Sequence, residues 1–472
     1  MIELDWPNTT WALTYFILEW ILRLMFIALV VPSREPSAAR IWLLFGFLAP
    51  VPAAIMYAMF GRVRNPRKRS RREAAATVAH RQWHIGLRSQ YTPRKSMLSE
   101  FVGRLGGNPP VPHNDIQLLS NYNGFISTLI ETIQSAHTRV FIQAYIFADD
   151  HTGRSVISAL AAARRRGVAV YVMLDAYGSR RWCRGVKKRL KNANVYVRVC
   201  NTYNPLVGGT GRLDRRNHRK LYVIDDQLAF MGSQNIISSD FRPGITNKEL
   251  MLRIVGPLVS DLSARFITDW HSDGGVLLPW PKEPSFPSDS GVQAQLLATG
   301  PDGVSGAYTL LLSRLLQEAR HSLLVVSPYT VLDEGLRLAM ATAVTRGVRV
   351  TLLLSAVVDQ PLVRLAQEAA YASLLESGVE IRHFERCLLH AKYVLADNSR
   401  VIIGSSNADI RSLQINAEVS LISEDEKLAT LLGQVAKQHL SKSSVLTAER
   451  WAERPRWRRF LQRVAALASP LL

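Results

Sequence analysis

The sequence predicts an α/β protein built from two copies of one domain behind a hydrophobic N-terminal hairpin. Three observations predict it. The pattern His218-Arg219-Lys220, followed by Asp225, returns near the C-terminus as His390-Ala391-Lys392, followed by Asp397. Around each copy the same succession of helix-period and strand-period segments recurs. Residues 11–31 and 41–60 are apolar runs, each about long enough to cross a bilayer.

A length of 472 residues accommodates roughly two to four domains, and a 47% hydrophobic share fills sizeable cores. Three widely spaced cysteines, Cys183, Cys200 and Cys387, argue against a disulfide framework or a zinc site and fit a reducing compartment. The formal charge of +20 implies an anionic partner. Seven basic residues and no acid lie within 62–72, and without them the excess is still +13. Nucleic acid, anionic lipid and a phosphorylated substrate all remain open on charge alone.

Taken in order, residues 1–61 read as a two-helix transmembrane hairpin. A secretory signal would have a shorter apolar region and a small-residue cleavage site, with no second run behind it. Glu19 and Arg23 sit in the first run at i, i+4, where they can pair on one helix face. Each is costly near the bilayer centre, so a helix lying at the interface is the alternative. Pro50 and Pro52 predict a kink in the second run, and Trp42 and Tyr57 suit the interfaces. Lys and Arg beside a span are retained in the cytoplasm, so the basic run after Phe60 puts the body of the chain there. Residues 62–112 read as a basic juxtamembrane connector.

From residue 113 helices and strands alternate. In the first domain, 113–277, the periodicity predicts helix over 126–136, strand over 140–147, helix over 153–166 and a buried strand over 168–175. The succession recurs in the second domain, 291–440, as 307–319, 323–329, 335–346 and 348–355. Arg166-Gly167-Val168 and Arg346-Gly347-Val348 mark equivalent helix-to-strand turns, and their offset of 180 residues is close to the 172 between His218 and His390. The Pro-rich stretch 278–290 is the linker. Gly208, Gly209 and Gly211 precede the first His without a following Lys-Ser or Lys-Thr, which marks a loop rather than a phosphate cradle. Residues 441–472 interleave Trp451, Trp457, Phe460 and Leu461 with six arginines. That composition suits either a basic amphipathic helix at a membrane surface or a packed terminal helix.

In each copy His and Lys lie two residues apart, before residues 221–224 or 393–396, which read as strand. A turn follows at Asp225-Asp226-Gln227 or Asp397-Asn398-Ser399, and a return strand ends in Gly232-Ser233-Gln234-Asn235 or Gly404-Ser405-Ser406-Asn407. Folding back as a hairpin brings Ser and Asn beside His and Lys. Each copy also carries Asn-x-Glu, ending in Glu249 or Glu418, whose carboxylate is expected to hold the imidazole of its own copy. Neither copy has metal-ligand spacing. Two ammoniums, two hydroxyls and two amides suit the spreading charge of a phosphoryl transition state. Two imidazoles permit double displacement through a phosphohistidine, one attacking phosphorus and the other exchanging a proton with the alkoxide.

The spacing His-x-Lys-x4-Asp-x6-Gly-Ser-x-Asn, met by 218–235 and by 390–407, resembles the signature of the phospholipase D superfamily. Within it the chain is similar to the bacterial cardiolipin synthase family. The likeness extends to Phe60-Gly61-Arg62, Asn217 before the first motif, Gly256-Pro257, Asp269-Trp270, Ser327-Pro328-Tyr329, Asp409-x-Arg411-Ser412 and Ser469-Pro470-Leu471-Leu472. The resemblance implies two phospholipase D-like α/β sandwich domains in a bacterial inner-membrane protein. The implied reaction passes a phosphatidyl group between two phosphatidylglycerol molecules, giving cardiolipin and glycerol without metal or nucleotide cofactor, with anionic lipid and not nucleic acid as partner. A hydrolase or nuclease of the same superfamily is the alternative. Carried over by position, His218, Lys220, Asp225, His390, Lys392 and Asp397 are the catalytic set, with Asp225 and Asp397 the more structural members. Ser233, Asn235 and Glu249 support the first copy, and Ser405, Asn407 and Glu418 the second. By the superfamily's usage His218 is the nucleophile and His390 the acid and base. Two departures stand out: Cys387 replaces a Gly common in relatives, and Glu249 an Asp.

Overall fold

The computed structural model describes residues 6–34, 36–61, 67–88, 93–201, 215–281, 291–301 and 303–467. The glycines at 208, 209 and 211, most of the linker 278–290 and the start of the basic run 62–72 lie outside these residues. The chain divides into a small unit of N-terminal helices and a large unit from Arg67 onward.

In the small unit α1 spans Trp6–Val30, 25 residues, and rises about 37 Å at 1.5 Å per residue. Among the described residues it supplies the one helix long and apolar enough to cross a bilayer. Arg23 meets Glu19 across one turn at 2.9 Å, as their spacing predicts. The second apolar run is broken where its prolines predict a kink, and it is not one continuous helix. It divides into α2 (Pro36–Leu48) and α3 (Pro50–Phe60), each shorter than a bilayer core requires. Ala49 leaves the helix at φ −146°, ψ 75° because a following proline disfavours helical geometry in the residue before it. Trp42 and Tyr57 pack edge-on against each other, and both rings contact Phe26.

Among the described residues of the large unit, fifteen strands form one sheet. They are β1 (Val111–Leu119), β2 (Arg139–Ala144), β3 (Ala169–Asp175), β4 (Tyr196–Cys200), β5 (Leu221–Ile224), β6 (Leu228–Gly232) and β7 (Met251–Val255) in the first half. The second half holds β8 (Val292–Thr299), β9 (Ser322–Val326), β10 (Arg349–Ser355), β11 (Glu380–Phe384), β12 (Tyr393–Ala396), β13 (Arg400–Gly404), β14 (Glu418–Ser423) and β15 (Ser443–Leu446). Their order is β15-β11-β10-β9-β12-β13-β14-β8-β1-β7-β6-β5-β2-β3-β4. Read outward from the β8–β1 seam the two halves match strand for strand, with β15 extra. The predicted duplication is therefore a duplication in space, and the expected helices and strands are found within a few residues of their predicted limits.

Period-two alternation puts each half into three layers. Val140 and Ile142 face one core with Phe125, Leu129 and Leu160, while Phe141 between them faces another. That second core is shared. It takes Leu258, Leu262 and Phe266 from α6 (Leu258–Ser272), together with Leu428 and Leu432 of helix Glu426–Leu440 and inward residues of both halves. The halves are thus welded through one hydrophobic body, which a small polar interface between domains would not do.

The stretch read as a connector is also part of this unit. α4 (Arg67–Arg88) lies on α6, with Arg265 paired to Glu73 at 3.2 Å and Arg69 to Asp273 at 3.2 Å. α5 (Met97–Arg104) buries Leu98 and Val102 in the second half's outer core. Part of the basic run consequently serves packing rather than solvation. Two further helices matter below: α7 (Pro361–Glu368) and α8 (Arg456–Leu467) pack against each other.

Candidate active site

Both hairpins form as predicted, β5–β6 and β12–β13, with antiparallel registers Leu221↔Met231 and Tyr393↔Ile403. At their open ends His218 and Lys220 precede β5 and Ser233 follows β6; His390, Lys392 and Ser405 stand likewise about β12 and β13. The glycine before each serine is required by close approach. A Cβ on Gly232, whose φ is +151°, would lie 2.4 Å from the Leu250 carbonyl oxygen, and one on Gly404 2.3 Å from that of Val419.

The backbone just before each histidine does not pair with its own half. Asn217 forms a parallel bridge with Ala417, and the His218 N–H donates to the Ala417 carbonyl at 2.9 Å. Reciprocally, Leu388 and Leu389 pair with Asn247 and Lys248, and the His390 N–H donates to the Lys248 carbonyl at 2.8 Å. These crossings deliver each Asn-x-Glu to the other half's histidine. His218 Nδ1 donates to Glu418 at 3.0 Å, and His390 Nδ1 donates to Glu249 at 2.7 Å. The expectation that each glutamate holds the imidazole of its own copy is corrected: the carboxylates are exchanged. Each glutamate keeps its own half's serine, Ser233 donating to Glu249 and Ser405 to Glu418, both at 2.5 Å. With Nδ1 protonated toward a carboxylate, each ring turns its Nε2 lone pair away from the glutamate.

Lys220 and Lys392 are buried, each donating to the carbonyl of its own histidine, at 2.7 and 2.5 Å. Asn235 accepts from the Ile146 N–H at 3.0 Å, which fixes its amide, and Asn407 is buried beside Ser405 and Ser406. Burial drives the electrostatics. It pushes His218 below the ordinary histidine range and His390 to about 4, against the opposite pull of their glutamates. It likewise takes Lys392 down to about 8 and Lys220 well below the usual lysine range. Burial alone would raise Glu249, but His390, Lys392 and Ser233 outweigh it and hold the carboxyl at about 2. A phosphodiester anion placed among these groups favours the charged form of all four cations. Among the described residues no cluster of three or more His, Cys, Asp or Glu has metal-ligand geometry.

Asp225 and Asp397 are not brought to this site. Each sits at the turn end of its hairpin, with φ near +50°, away from the histidine end. Asp225 accepts from the N–H groups of His137, Thr138 and Arg139, and Asp397 from those of Arg320, His321 and Ser322, all at 2.7 to 3.0 Å. They tie each turn to the start of the neighbouring strand.

Other residues were not legible beforehand. Tyr145 stands edge-on to the His218 ring at a centroid distance of 4.9 Å. A cavity of about 80 Å³ is lined by His218, His390, Asn235 and Glu249 together with Tyr145 and Tyr329. Asp359, on its rim, pairs with Arg242 and accepts from the Tyr329 hydroxyl at 2.5 Å. Tyr145 and Tyr329 lie just past the carboxyl ends of β2 and β9, where sheets containing parallel strands gather ligands; strand polarity was the signal that could have found them. Arg219, between His and Lys of the first motif, reaches across the halves. It donates to Asp269 at 2.5 and 2.6 Å, to the Glu418 carbonyl at 2.9 Å and to that of Thr299 at 2.8 Å. The second motif has Ala391 at this position.

A duplicated α/β sandwich with a His-x-Lys hairpin from each half meeting at one cavity defines a phospholipase D-like protein. The solved phosphatidylserine synthase of Haemophilus influenzae has this fold: the match covers 80% of this chain and all of that one, with a TM-score of 0.60 at 16% identity. The family described as cardiolipin synthase, phospholipase D-like domain, matches residues 129–270 and 312–440, more than half the chain. Cardiolipin synthase A of Yersinia pseudotuberculosis is 31% identical over 461 residues, and that of Erwinia tasmaniensis 30% over 460, each covering 94% of this chain and 95% of the relative. The chain belongs to the cardiolipin synthase family.

Proposed function

We propose that the protein is a membrane phosphatidyltransferase that makes cardiolipin and glycerol from two molecules of phosphatidylglycerol. The observation that carries this reading is the reciprocal pairing of His218 with Glu418 and of His390 with Glu249, which directs two imidazoles of like geometry at one cavity. In the proposed cycle His218 Nε2 attacks the donor phosphorus. The bond to glycerol breaks as His390 gives the leaving oxygen a proton, which leaves a phosphatidyl group on His218. The hydroxyl of a second phosphatidylglycerol then loses its proton to His390 and attacks phosphorus, and His218 departs. Lys220, Lys392, Asn235 and Asn407 stabilise the charge on the equatorial oxygens. The net exchange replaces one P–O bond by another and needs neither nucleotide nor oxidant.

A lipid hydroxyl has to win over water. The small cavity and the Arg242–Asp359 pair on its rim support this by limiting free solvent around the phosphohistidine. Membrane attachment supports it too, through the apolar helix α1. In the proposed topology α2 and α3 together complete a second crossing of a bacterial inner membrane, and the basic residues after Phe60 keep the large unit cytoplasmic. The test is direct: purified enzyme given phosphatidylglycerol in detergent yields cardiolipin and free glycerol in equal amounts. Phosphatidic acid as the main product would make the protein a hydrolase.

A further inference from the structure

The C-terminal helix α8 carries a second feature of the chain that the catalytic cycle does not use. Among 454–467 there is no acidic residue, and five arginines are interleaved with Trp457, Phe460, Leu461, Val464 and Leu467. Those five apolar side chains fall at i, i+3, i+4, i+7 and i+10, one stripe of a helix. A packed terminal helix turns such a stripe inward, and α8 does the reverse. Its inner face is polar: Gln462 and Arg458 bind Glu368 of α7, at 2.8 and 3.0 Å, and Ala465 packs with Val331 and Ala366. The apolar stripe faces outward, each of its five residues between 40% and 72% exposed. Arg456, Arg459 and Arg463 are exposed beside it, Arg459 also donating to the Ala452 carbonyl, whereas Arg454 and Arg458 are half-buried and held by Gln462 and Glu368.

We infer that the outward face of α8 docks the large unit on an anionic bilayer and thereby holds the rim of the catalytic cavity at the lipid headgroups. The stripe is apolar and flanked by cations only, the complement of a negatively charged membrane surface rather than of a protein surface of mixed charge. Trp457 and Phe460 suit the headgroup boundary. The placement links the surface to the site. α8 is packed on α7, and Asp359 and Gln360, which immediately precede α7, line the cavity between the two histidines. Leu362 in the first turn of α7 is exposed as well. The inference draws on the lipid-substrate reading only for its purpose, and its principal test does not measure activity.

Nitroxide labels are placed singly on the full-length chain by Trp457→Cys, Phe460→Cys, Leu461→Cys, Val464→Cys, Arg459→Cys and Arg463→Cys, with Cys183→Ser and Cys387→Ser in the background. Each protein is reconstituted in phosphatidylcholine vesicles with or without phosphatidylglycerol. With phosphatidylglycerol, collisions with oxygen should exceed those with a water-soluble nickel chelate at 457, 460, 461 and 464 and reverse at 459 and 463; without it the contrast should weaken. Free access of the chelate to all six positions overturns the inference, and so does low access of both reagents at the apolar positions, the signature of a second copy or another segment covering the face. A kinetic arm uses Trp457→Ser with Phe460→Ser. Turnover of vesicle phosphatidylglycerol should fall by about tenfold or more, as expected for loss of two interfacial anchors, while turnover of monomeric short-chain phosphatidylglycerol is unchanged. Equal loss on both substrates would mean that the helix only braces the fold. A wild-type enzyme that makes no cardiolipin refutes the proposed function but leaves the depth measurement to be judged on its own.

Discussion

Glu249 and His390 stand 141 residues apart in opposite halves, yet the carboxylate accepts the Nδ1 proton at 2.7 Å. Together with Glu418 and His218 this makes the site indivisible: neither half holds its own histidine.

The exchange has a kinetic signature. A donor phosphodiester with a nitrophenolate leaving group needs no general acid, so a His390→Ala enzyme should still give a burst of nitrophenolate through attack by His218. Adding Glu418→Gln should then slow the burst by up to roughly 10⁴-fold, the scale seen when an orienting carboxylate is lost. Adding Glu249→Gln should leave it nearly unchanged. The reverse pattern would mean that the carboxylates act within their own halves.

With natural lipid the proposed cycle requires both histidines. His218→Ala and His390→Ala should each abolish measurable cardiolipin formation, the loss of proton transfer alone being worth roughly 10²–10⁴-fold. Near-normal activity in either variant would sink the two-histidine mechanism, and phosphate mapped to His390 in a trapped intermediate would invert the roles.

The hairpins and their convergence were legible because period-two alternation, turn residues and Gly-Ser-x-Asn are local signals, and their repetition removed coincidence. The glutamate exchange was not legible. It rests on single bridges such as Asn217 with Ala417, 200 residues apart, which no local pattern encodes. α4 was hidden for a different reason: its buried contacts run through Glu73 and Arg69 in ion pairs, so charge masked a packed face. Arg219 was given no role by the motif, and its reach to Asp269 depends on α6, which follows the motif by some forty residues.

Asp225 and Asp397 should behave as structural residues. Asp225→Ala or Asp397→Ala strips three backbone N–H groups of their acceptor, costing about 1–3 kcal/mol of stability. Thermal inactivation should come earlier, while kcat of the enzyme that remains folded stays near wild type. A selective fall in kcat without loss of stability would return these aspartates to the chemistry.

The Arg219–Asp269 pair is buried, one guanidinium nitrogen meeting both carboxylate oxygens, with Arg265 and Gln143 also on the carboxylate. Asp269→Ala strips the buried Arg219 guanidinium of its carboxylate and should destabilise by about 3–5 kcal/mol, whereas Arg219→Ala leaves Asp269 still paired with Arg265 and should cost less. The double variant should cost less than the sum. Because Arg219 also holds the Glu418 carbonyl, Arg219→Ala should slow the His218-dependent burst as well. Denaturant titration of the four proteins measures the first effect; strict additivity would deny the coupling.

Acid should weaken the large unit before it approaches the carboxylate range. Burial holds His383, His390 and His439 at about 4, below the ordinary value of 6.5. Between those limits the unfolded chain binds more protons than the folded one. Stability from these groups is therefore complete above pH 6.5 and is lost as pH falls toward 4, at up to about 1.4 kcal/mol per pH unit for each histidine. Asp273, raised by burial to about 6, acts in the opposite sense between 6 and its ordinary 3.8, as does Asp409, which burial also raises, while His218, lowered by burial, acts with the three histidines. His439 is the clean probe. It lies in the shared core against the Tyr393 hydroxyl, at 2.9 Å, and outside the site. Unfolding midpoints in detergent should drop steadily from pH 7 to pH 4.5 in the wild type, and His439→Gln should drop less steeply. A variant that loses stability in parallel with wild type across that window would show that His439 is not among the groups whose protonation opens the fold.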